Sequence, residues 1–337
     1  MAPWKAASVG DHIGQIDTPA LVLDLDAFER NMKLLQDAVS RAGVRLRPHA
    51  KSHKCPEIAL RQIELGAVGI CCQKVIEAAV FVDAGISDIF ITNQVVGEKK
   101  VAHALDLAAL ARIGVLVDHE DQISAFAHAS AERQVSIDVY LEIDVGMGRC
   151  GVASIERAVA MAQQIAAAPY LNFMGLQCYH GSAQHYRLPE ERQQAIAAVC
   201  AKAAAAKAAI EGVGIAVERI SGAGTGSVML ESHSKLFNEV QAGSYILMDR
   251  DYATNQRDPS DLPFEHALFV KTAVLSHPNA NRAVVDAGLK ASSVDSGMPV
   301  VWQRTDAKYL KASDEHGVLE LTPDSKLKLG DYVMLVP

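Results

Sequence analysis

The sequence predicts a parallel (β/α)8 barrel of the TIM type, followed by a smaller C-terminal β-domain, and three observations predict it. Apolar runs of period two alternate with amphipathic stretches through the first three quarters of the chain. From about Phe264 the strand-like runs continue without long helices between them. A lysine and a glycine-rich turn fall at the carboxyl ends of two predicted strands, where barrels gather their chemistry.

In chain order the expected strands are Pro19 to Leu25, Val44 to Ala50, Gly69 to Gln73, Asp88 to Asn93, Ile113 to Asp118, Ile137 to Asp144, Phe173 to His180, Val217 to Ser221 and Val240 to Met248. Nine is one more than the ring takes. The barrel is therefore expected to begin at Val44, leaving Pro19 to Leu25 to pair elsewhere. Helices are expected over Leu25 to Ala42, stopped by Gly43, and from Cys55-Pro56-Glu57. Others are expected after the acidic pair Glu120-Asp121 and along the Ala-rich stretch Pro189 to Glu211. Strict alternation implies a parallel sheet with helices outside it. The β-domain strands are expected at Ala267 to Ser276, Arg282 to Val285, Val300 to Arg304, Tyr309 to Ala312 and Tyr332 to Val336. The implied divisions are residues 1–25 as a strand joining the β-domain, 26–262 as the barrel, and 263–337 as the β-domain.

Composition limits the function classes. The 337 residues are 50% hydrophobic, enough for a large core. Thirty-two Lys and Arg against 40 Asp and Glu leave a net charge of −8, with no basic run longer than a pair. Nucleic acid and anionic membranes are thus not expected partners. The start of the chain, Met1 to Asp17, lacks the apolar stretch of a signal peptide, and no segment reaches the roughly 20 apolar residues of a membrane span. A cytoplasmic location is expected. The six cysteines contain no Cys-x-x-Cys pair and read as free thiols of a reducing compartment, with at least one of Cys71 and Cys72 in the core.

Lys51 lies in Arg47-Pro48-His49-Ala50-Lys51-Ser52-His53-Lys54, at the end of a predicted strand. A short rigid tether, with Arg47 and Lys54 disfavouring a third positive charge, points to an amine reactive near neutral pH and able to form a Schiff base. After the seventh barrel strand comes Ser221-Gly222-Ala223-Gly224-Thr225-Gly226-Ser227, and the eighth carries Gly243-Ser244-Tyr245. Small residues there let backbone amides approach an anion, while Thr225, Ser227 and Ser244 offer hydroxyls, so this corner is expected to hold a phosphate. Gln73 follows strand two, Asn93 strand three, and Asp144 to Arg149 strand five. Strand six ends in Tyr179-His180-Gly181-Ser182-Ala183-Gln184-His185-Tyr186-Arg187, a density of titratable groups that favours function.

Those stretches, together with Asp17-Thr18-Pro19, Gly69-Ile70-Cys71-Cys72-Gln73-Lys74, Gly148-Arg149-Cys150-Gly151, Gln241-Ala242-Gly243-Ser244-Tyr245, Asp286-Ala287-Gly288 and Asp314-Glu315-His316-Gly317, run through nearly the whole chain. In that order they resemble the pyridoxal-phosphate enzymes of the alanine-racemase-like fold. Within it they resemble the D-threonine aldolase and D-serine dehydratase branch, with the strand-six cluster nearer the aldolase side. The resemblance implies that Lys51 holds pyridoxal 5'-phosphate and that Gly224, Thr225, Gly226 and Ser227, with Ser244 and Tyr245, cradle its phosphate. Gln73 is counted among the cofactor-binding residues. Arg149 would lie near the cofactor's phenolic oxygen, Tyr179 against its ring, and His185 near the substrate hydroxyl. The family also uses a divalent metal (Mn, Mg or Zn), held by a His-x-Asp or His-x-Cys pair just after a strand ending Leu-Val-Pro. Here that motif is Leu335-Val336-Pro337, so the metal pair is expected beyond Pro337 in a chain cut short.

The implied reaction is retro-aldol cleavage of a small β-hydroxy-D-amino acid, D-threonine giving glycine and acetaldehyde. Alternatives are a D-serine or 3-hydroxy-D-aspartate dehydratase, a 3-hydroxy-D-aspartate aldolase and, more remotely, a pyridoxal-phosphate homeostasis protein. A homodimer is implied, with Asp314, Glu315 and His316 as candidates for reaching a barrel mouth.

Overall fold

The computed structural model describes residues 6–337, so Met1 to Lys5 of the expected N-terminal segment lie outside the described residues. The strands are β1 (Ala20–Leu23), β2 (Arg45–Leu46), β3 (Ile70–Cys72), β4 (Asp88–Gln94), β5 (Arg112–Val117), β6 (Ile137–Glu142), β7 (Leu171–Cys178), β8 (Arg219–Gly222) and β9 (Glu239–Val240), then β10 (Leu268–Asn279), β11 (Arg282–Val285), β12 (Val300–Val301), β13 (Ala307–Ala312), β14 (Gly317–Leu321) and β15 (Tyr332–Val336). The helices are α1 (Leu25–Arg41), α2 (Pro56–Glu64), α3 (Val75–Asp83), α4 (Glu98–Ala108), α5 (Glu120–Arg133), α6 (Ile155–Ala167), α7 (Pro189–Gly212), α8 (Val228–His233) and α9 (Arg250–Ala253).

The chain divides into two compact units. One takes the chain from Met32 to Tyr245 with Asn255–Pro263, and the other takes the chain up to Asn31, Ile246–Thr254 and Phe264–Pro337. In the first unit eight parallel strands run in the order β2-β9-β8-β7-β6-β5-β4-β3. The ring closes where the Cys71 N–H donates to the Pro48 carbonyl at 2.8 Å and a parallel bridge joins His49 to Cys71. Alternation along these strands separates two apolar shells. Cys72, Ile91, Val115, Val139 and Leu176 face the helices and belong to the large core. Cys71, Phe90, Leu116, Tyr140 and Met174 form a separate cluster, which alternation places inside the ring. Both adjacent cysteines are fully buried.

The ring's interior also holds charge. Arg47, 1% exposed, pairs with Asp88 at 2.7 Å and with the fully buried Glu239 at 3.2 Å, linking β2, β4 and β9. Glu239 further accepts from the Ser221 hydroxyl at 3.0 Å, and Gln241 joins Ser221 to Gln177 by side-chain amide bonds.

The second unit is an antiparallel sheet in the order β12-β15-β10-β11-β14-β13, with β1 pairing β10 from Ala20 opposite Lys271 to Leu23 opposite Leu268. Ala283, Val285, Leu319 and Leu335 fill its core.

Three expectations about strands need correction. The run Val240 to Met248 is extended only over Glu239–Val240, because Gly243 then passes so close to β2's continuation that a Cβ on it would meet the His49 carbonyl at 2.7 Å; Ser244–Ile246 turns as a 3-10 helix instead. The run Val44 to Ala50 pairs as a strand only at Arg45–Leu46, because the His49 ring caps a 3-10 turn at Ala50–Ser52. In the β-domain, Val300 to Arg304 is a strand for two residues only, and a strand not expected from the sequence, β14, pairs with β11 and β13 on either side.

Removing one member of a buried ion pair strands the other charge, at a cost of about 3–5 kcal/mol. The Arg47→Met variant should lose about that much stability in urea unfolding, and adding Glu239→Gln should recover part of it. Equal stability of wild type and Arg47→Met would exclude this role for the pair.

Candidate active site

Lys51 is set by the end of β2. The Arg47 N–H donates to the Val240 carbonyl at 2.9 Å and the His49 N–H to the Ala242 carbonyl at 3.2 Å, so the seam with β9 continues past the strand proper. The His49 Nδ1 then accepts the Lys51 N–H at 3.3 Å. With Nδ1 as acceptor, the ring proton sits on Nε2, facing the Thr92 hydroxyl at 2.9 Å, which in turn donates to the Cys72 carbonyl at 3.2 Å. Burial, then the charge of Lys51, pushes His49 well below the ordinary imidazole range, so it stays neutral. The Gln73 amide lies 3.0 Å from the same Nε2.

Lys51 keeps access to solvent, yet its amine is lowered from the ordinary lysine value, first by burial and second by Arg149. The cations expected to do this are otherwise engaged. Arg47 is committed to Asp88 and Glu239, and Lys54 to Glu77 at 2.9 Å. The cation that counts comes from the far side of the ring, a position the octapeptide does not encode.

Arg149 stands on the loop after β6. Main-chain bonds from Val152 N–H to the Glu142 carbonyl (2.8 Å) and from Asp144 N–H to the Val152 carbonyl (3.1 Å) pinch the loop at its base. Inside it, the Asp144 carboxylate accepts the N–H groups of Gly146 and Gly148 at 3.0 and 3.1 Å. The Arg149 guanidinium lies 5.7 Å from the centroid of the Tyr179 ring and 3.6 Å from Glu142. Lys51, Arg149 and Tyr179 therefore share one neighbourhood at the carboxyl rim. Burial raises the Tyr179 phenol, and Arg149 partly offsets this.

The turn after β8 wraps around Gln184. A Cβ on Gly224 would lie 2.5 Å from the Gln184 side-chain oxygen, and one on Gly226 would lie 2.9 Å from its carbonyl oxygen, so neither position admits a side chain. The Thr225 hydroxyl is buried and has no hydrogen-bond partner among the described residues. A buried hydroxyl without a partner is uncommon in a folded protein and fits an anion's oxygen. The other expected donors are less open. Ser227 accepts from the Gln184 amide at 2.7 Å and donates to Glu231 at 2.9 Å. Tyr245 is 1% exposed, with its hydroxyl accepting from Gln62 at 3.0 Å, while Ser244 is half-buried. A phosphate fits this corner through Thr225 and the side-chain-free approach of the glycines.

The strand-six cluster splits by direction. His180 and Gln184 are buried, whereas His185, at the end of the 3-10 turn Ser182–His185, and Tyr186 and Arg187 after it are exposed. Burial lowers His180, whose Nδ1 accepts the Ala183 N–H at 3.1 Å.

Asp118, Glu142 and Cys150 bring ligand atoms within 4.8 Å of one another, beside a cleft of about 690 Å³ lined by Asp118, Asp144, Arg149 and Cys150. Their oxygens are committed. The Gln94 amide donates to both carboxylates, while Gln122 and the Gly151 N–H reach Asp118 at 3.0 and 2.9 Å. With the Arg149 guanidinium also on Glu142, this group does not fit a divalent ion. In the other unit, Asp314 to His316 form the turn between β13 and β14. The Lys290 N–H donates to the Asp314 carbonyl at 3.0 Å, and the Lys290 side chain pairs with Glu315 at 3.0 Å.

His49, Gln184 and Glu231 are functional candidates that the sequence reading did not select. His49 and Gln184 lie inside motifs already noted, next to residues with more evident chemistry. Glu231 carries the clearest signal, a carboxylate directly after the apolar run Val228-Met229-Leu230. It is 1% exposed, and burial raises its carboxyl to about 8. Its proton is held in the folded state and released on unfolding above the ordinary value of 4.5, so stability falls as pH rises from there to 8, by at most about 1.4 kcal/mol per unit. His49 and His53, both lowered by burial and His53 to about 4, act oppositely below 6.5. Between pH 6.5 and 8 the Glu231→Gln variant should therefore lose stability less steeply than wild type in urea unfolding; parallel slopes would refute this.

Comparison with known proteins agrees with this geometry. Residues 23–251 match the family model described as alanine racemase, N-terminal domain, and residues 267–337 match a putative serine dehydratase domain. A D-threonine aldolase of Arthrobacter sp. is 46% identical over 98% of this chain and 87% of its own length. A 3-hydroxy-D-aspartate aldolase of Paracoccus denitrificans (strain Pd 1222) is 44% identical over 96% and 85%. The crystal structure of D-threonine aldolase from Filomicrobium marinum superposes with a TM-score of 0.95 at 47% identity, covering 96% of this chain and 88% of that one. The chain belongs to the alanine-racemase-like family, in its D-threonine aldolase and D-serine dehydratase branch.

Proposed function

We propose that the protein is a pyridoxal-phosphate- and divalent-metal-dependent lyase that splits β-hydroxy-D-amino acids, D-threonine to glycine and acetaldehyde. The observation that carries this reading is the lowered Lys51 amine on the same rim as a partnerless Thr225 hydroxyl set between two glycines where a Cβ would clash. Bound pyridoxal phosphate supplies an electron sink for the bond that breaks at the substrate's Cα. The chain's own residues bind and steer. Lys51 offers the amine, the Gly224 to Ser227 turn receives the phosphate through the Thr225 hydroxyl, and Arg149 lends positive charge beside the Tyr179 ring. His49 holds the main chain at Lys51, and Gln73 stands beside it at the lysine's end of the rim. His185, exposed at the mouth, is assigned to take the proton from the β-hydroxyl oxygen as the Cα–Cβ bond opens.

The divalent metal enters on the family resemblance and not on Asp118, Glu142 and Cys150. A cytoplasmic homodimer completes the reading. All six cysteines are free, which suits a reducing compartment, and no helix among the described residues is long and apolar enough to cross a membrane.

The test is product identification from purified, cofactor-loaded protein given D-threonine, D-serine or 3-hydroxy-D-aspartate, before and after EDTA. Glycine and acetaldehyde, lost with EDTA and restored by a divalent ion, are expected. Glyoxylate with glycine would shift the preferred substrate to 3-hydroxy-D-aspartate, and a keto acid with ammonia would replace the aldolase by a dehydratase. Lys51→Ala should lose both turnover and the visible absorbance of the bound cofactor. His185→Ala should keep that absorbance and lose about 10²- to 10⁴-fold in kcat. An unchanged kcat would remove His185 from the proton transfer.

A further inference from the structure

Gln184 sits at the junction of two loops that the proposed function treats separately. Its side chain is fully buried. One amide nitrogen serves the Ser227 hydroxyl at 2.7 Å and the His180 carbonyl at 3.3 Å. The amide oxygen accepts the Gly226 N–H at 2.9 Å, and the Gln184 carbonyl accepts from the Asn255 amide at 2.9 Å. The turn from Gly224 to Gly226 is folded directly onto this side chain, as the space left for a Cβ at either glycine demonstrates. Gln184 is also the residue before His185, in the same 3-10 turn.

Glu231 supports the turn from its other side. Ser227 donates its hydroxyl proton to the Glu231 Oε1 at 2.9 Å, and the Oε2 is buried without a hydrogen-bond partner. The series His180 carbonyl, Gln184 amide, Ser227 hydroxyl, Glu231 carboxyl is therefore continuous. Two of its members lie in the strand-six loop and two in or just after the phosphate turn. In it the Gln184 amide nitrogen gives to both neighbours while Ser227 receives from Gln184 and gives to Glu231, and such connected bonds fix orientation more firmly than one bond alone.

We propose that Gln184 and Glu231 are positioning residues that hold the Gly224–Ser227 turn in its phosphate-receiving shape, Gln184 tying that turn to the one that presents His185. The inference rests on the phosphate-site reading above. Neither residue touches substrate in this account. Each acts through Ser227 or Gly226, so its loss should weaken what the phosphate contributes to binding and leave the rest of the cofactor's contacts in place.

The test compares equilibrium binding of pyridoxal phosphate and of pyridoxal, which lacks the phosphate, to the cofactor-stripped full chain, read by absorbance. Wild type should prefer pyridoxal phosphate strongly; equal affinity for the two would overturn the phosphate-site reading and this inference with it. Given that preference, Gln184→Met, which keeps the shape and removes the amide, should bind pyridoxal phosphate about tenfold more weakly with pyridoxal affinity unchanged. Glu231→Ala should do the same, and it keeps the question open to test if Gln184→Met does not fold. Glu231→Gln, which can still accept from Ser227, should restore the preference. Equal weakening toward both compounds would reduce the two residues to general packing, and unchanged affinity for pyridoxal phosphate would overturn the inference outright.

Discussion

The architecture depends on closing a ring whose first and last strands pair over only two residues each. Arg45 opposite Glu239 and Leu46 opposite Val240 are the paired residues of that seam, and the Arg47 and His49 N–H groups carry it only two bonds further. So short a seam needs other support, and Arg47 provides it from inside the ring by joining Asp88 on β4 to Glu239 on β9. Its aliphatic stem and guanidinium occupy the space beside Gly69, where a Cβ would meet the guanidinium at 2.5 Å. Lys51 lies four residues beyond Arg47. Wherever the seam sets, the lysine is set with it.

A second consequence of closure is that residues far apart in sequence meet at one rim. Arg149 reaches the Lys51 neighbourhood on a loop pinched at its base by the bonds between Glu142, Asp144 and Val152. The Gly224 to Ser227 turn meets Gln184 because β7 and β8 are adjacent, with Cys178 opposite Gly222. Neighbouring strands deliver neighbouring loops, so the strand order β2-β9-β8-β7-β6 is also the order in which the lysine, the eighth-strand turn, the phosphate turn, the strand-six cluster and Arg149 follow one another around the mouth.

This explains which parts were legible in the sequence. Period-two runs and glycine-rich turns are local signals, so the strands of the ring, Lys51 and the Gly224 to Ser227 turn could be read directly. The extended pattern at Val240 to Met248 and Val44 to Ala50 misled because both segments are buried while turning, and burial alone keeps residues apolar. β14 escaped notice because the polar turn Asp314 to His316 dominates its start. Interactions between loops were illegible in principle. That Arg149 and not Arg47 modulates Lys51, or that Gln184 fills the space two glycines vacate, depends on the order of strands around a closed ring and on no spacing along the chain.

The electrostatics at the rim follow from the same burial. Enclosure disfavours charge of either sign, so it lowers Lys51, His49 and His180 and raises Glu142 and Glu231. With its carboxyl raised to about 8, Glu231 beside the phosphate turn keeps its proton near neutral pH and sets no negative charge against an anion. Arg149 adds positive charge beside these groups, lowering Lys51 further and partly offsetting the rise of the Tyr179 phenol. The rim thus sets the Arg149 guanidinium near an amine that burial has lowered. A site that had solved the anion problem with several lysines would have mutually lowered their amines and created competing nucleophiles. Holding an anion by glycine-turn amides and the Thr225 hydroxyl would add no further amine at the phosphate turn.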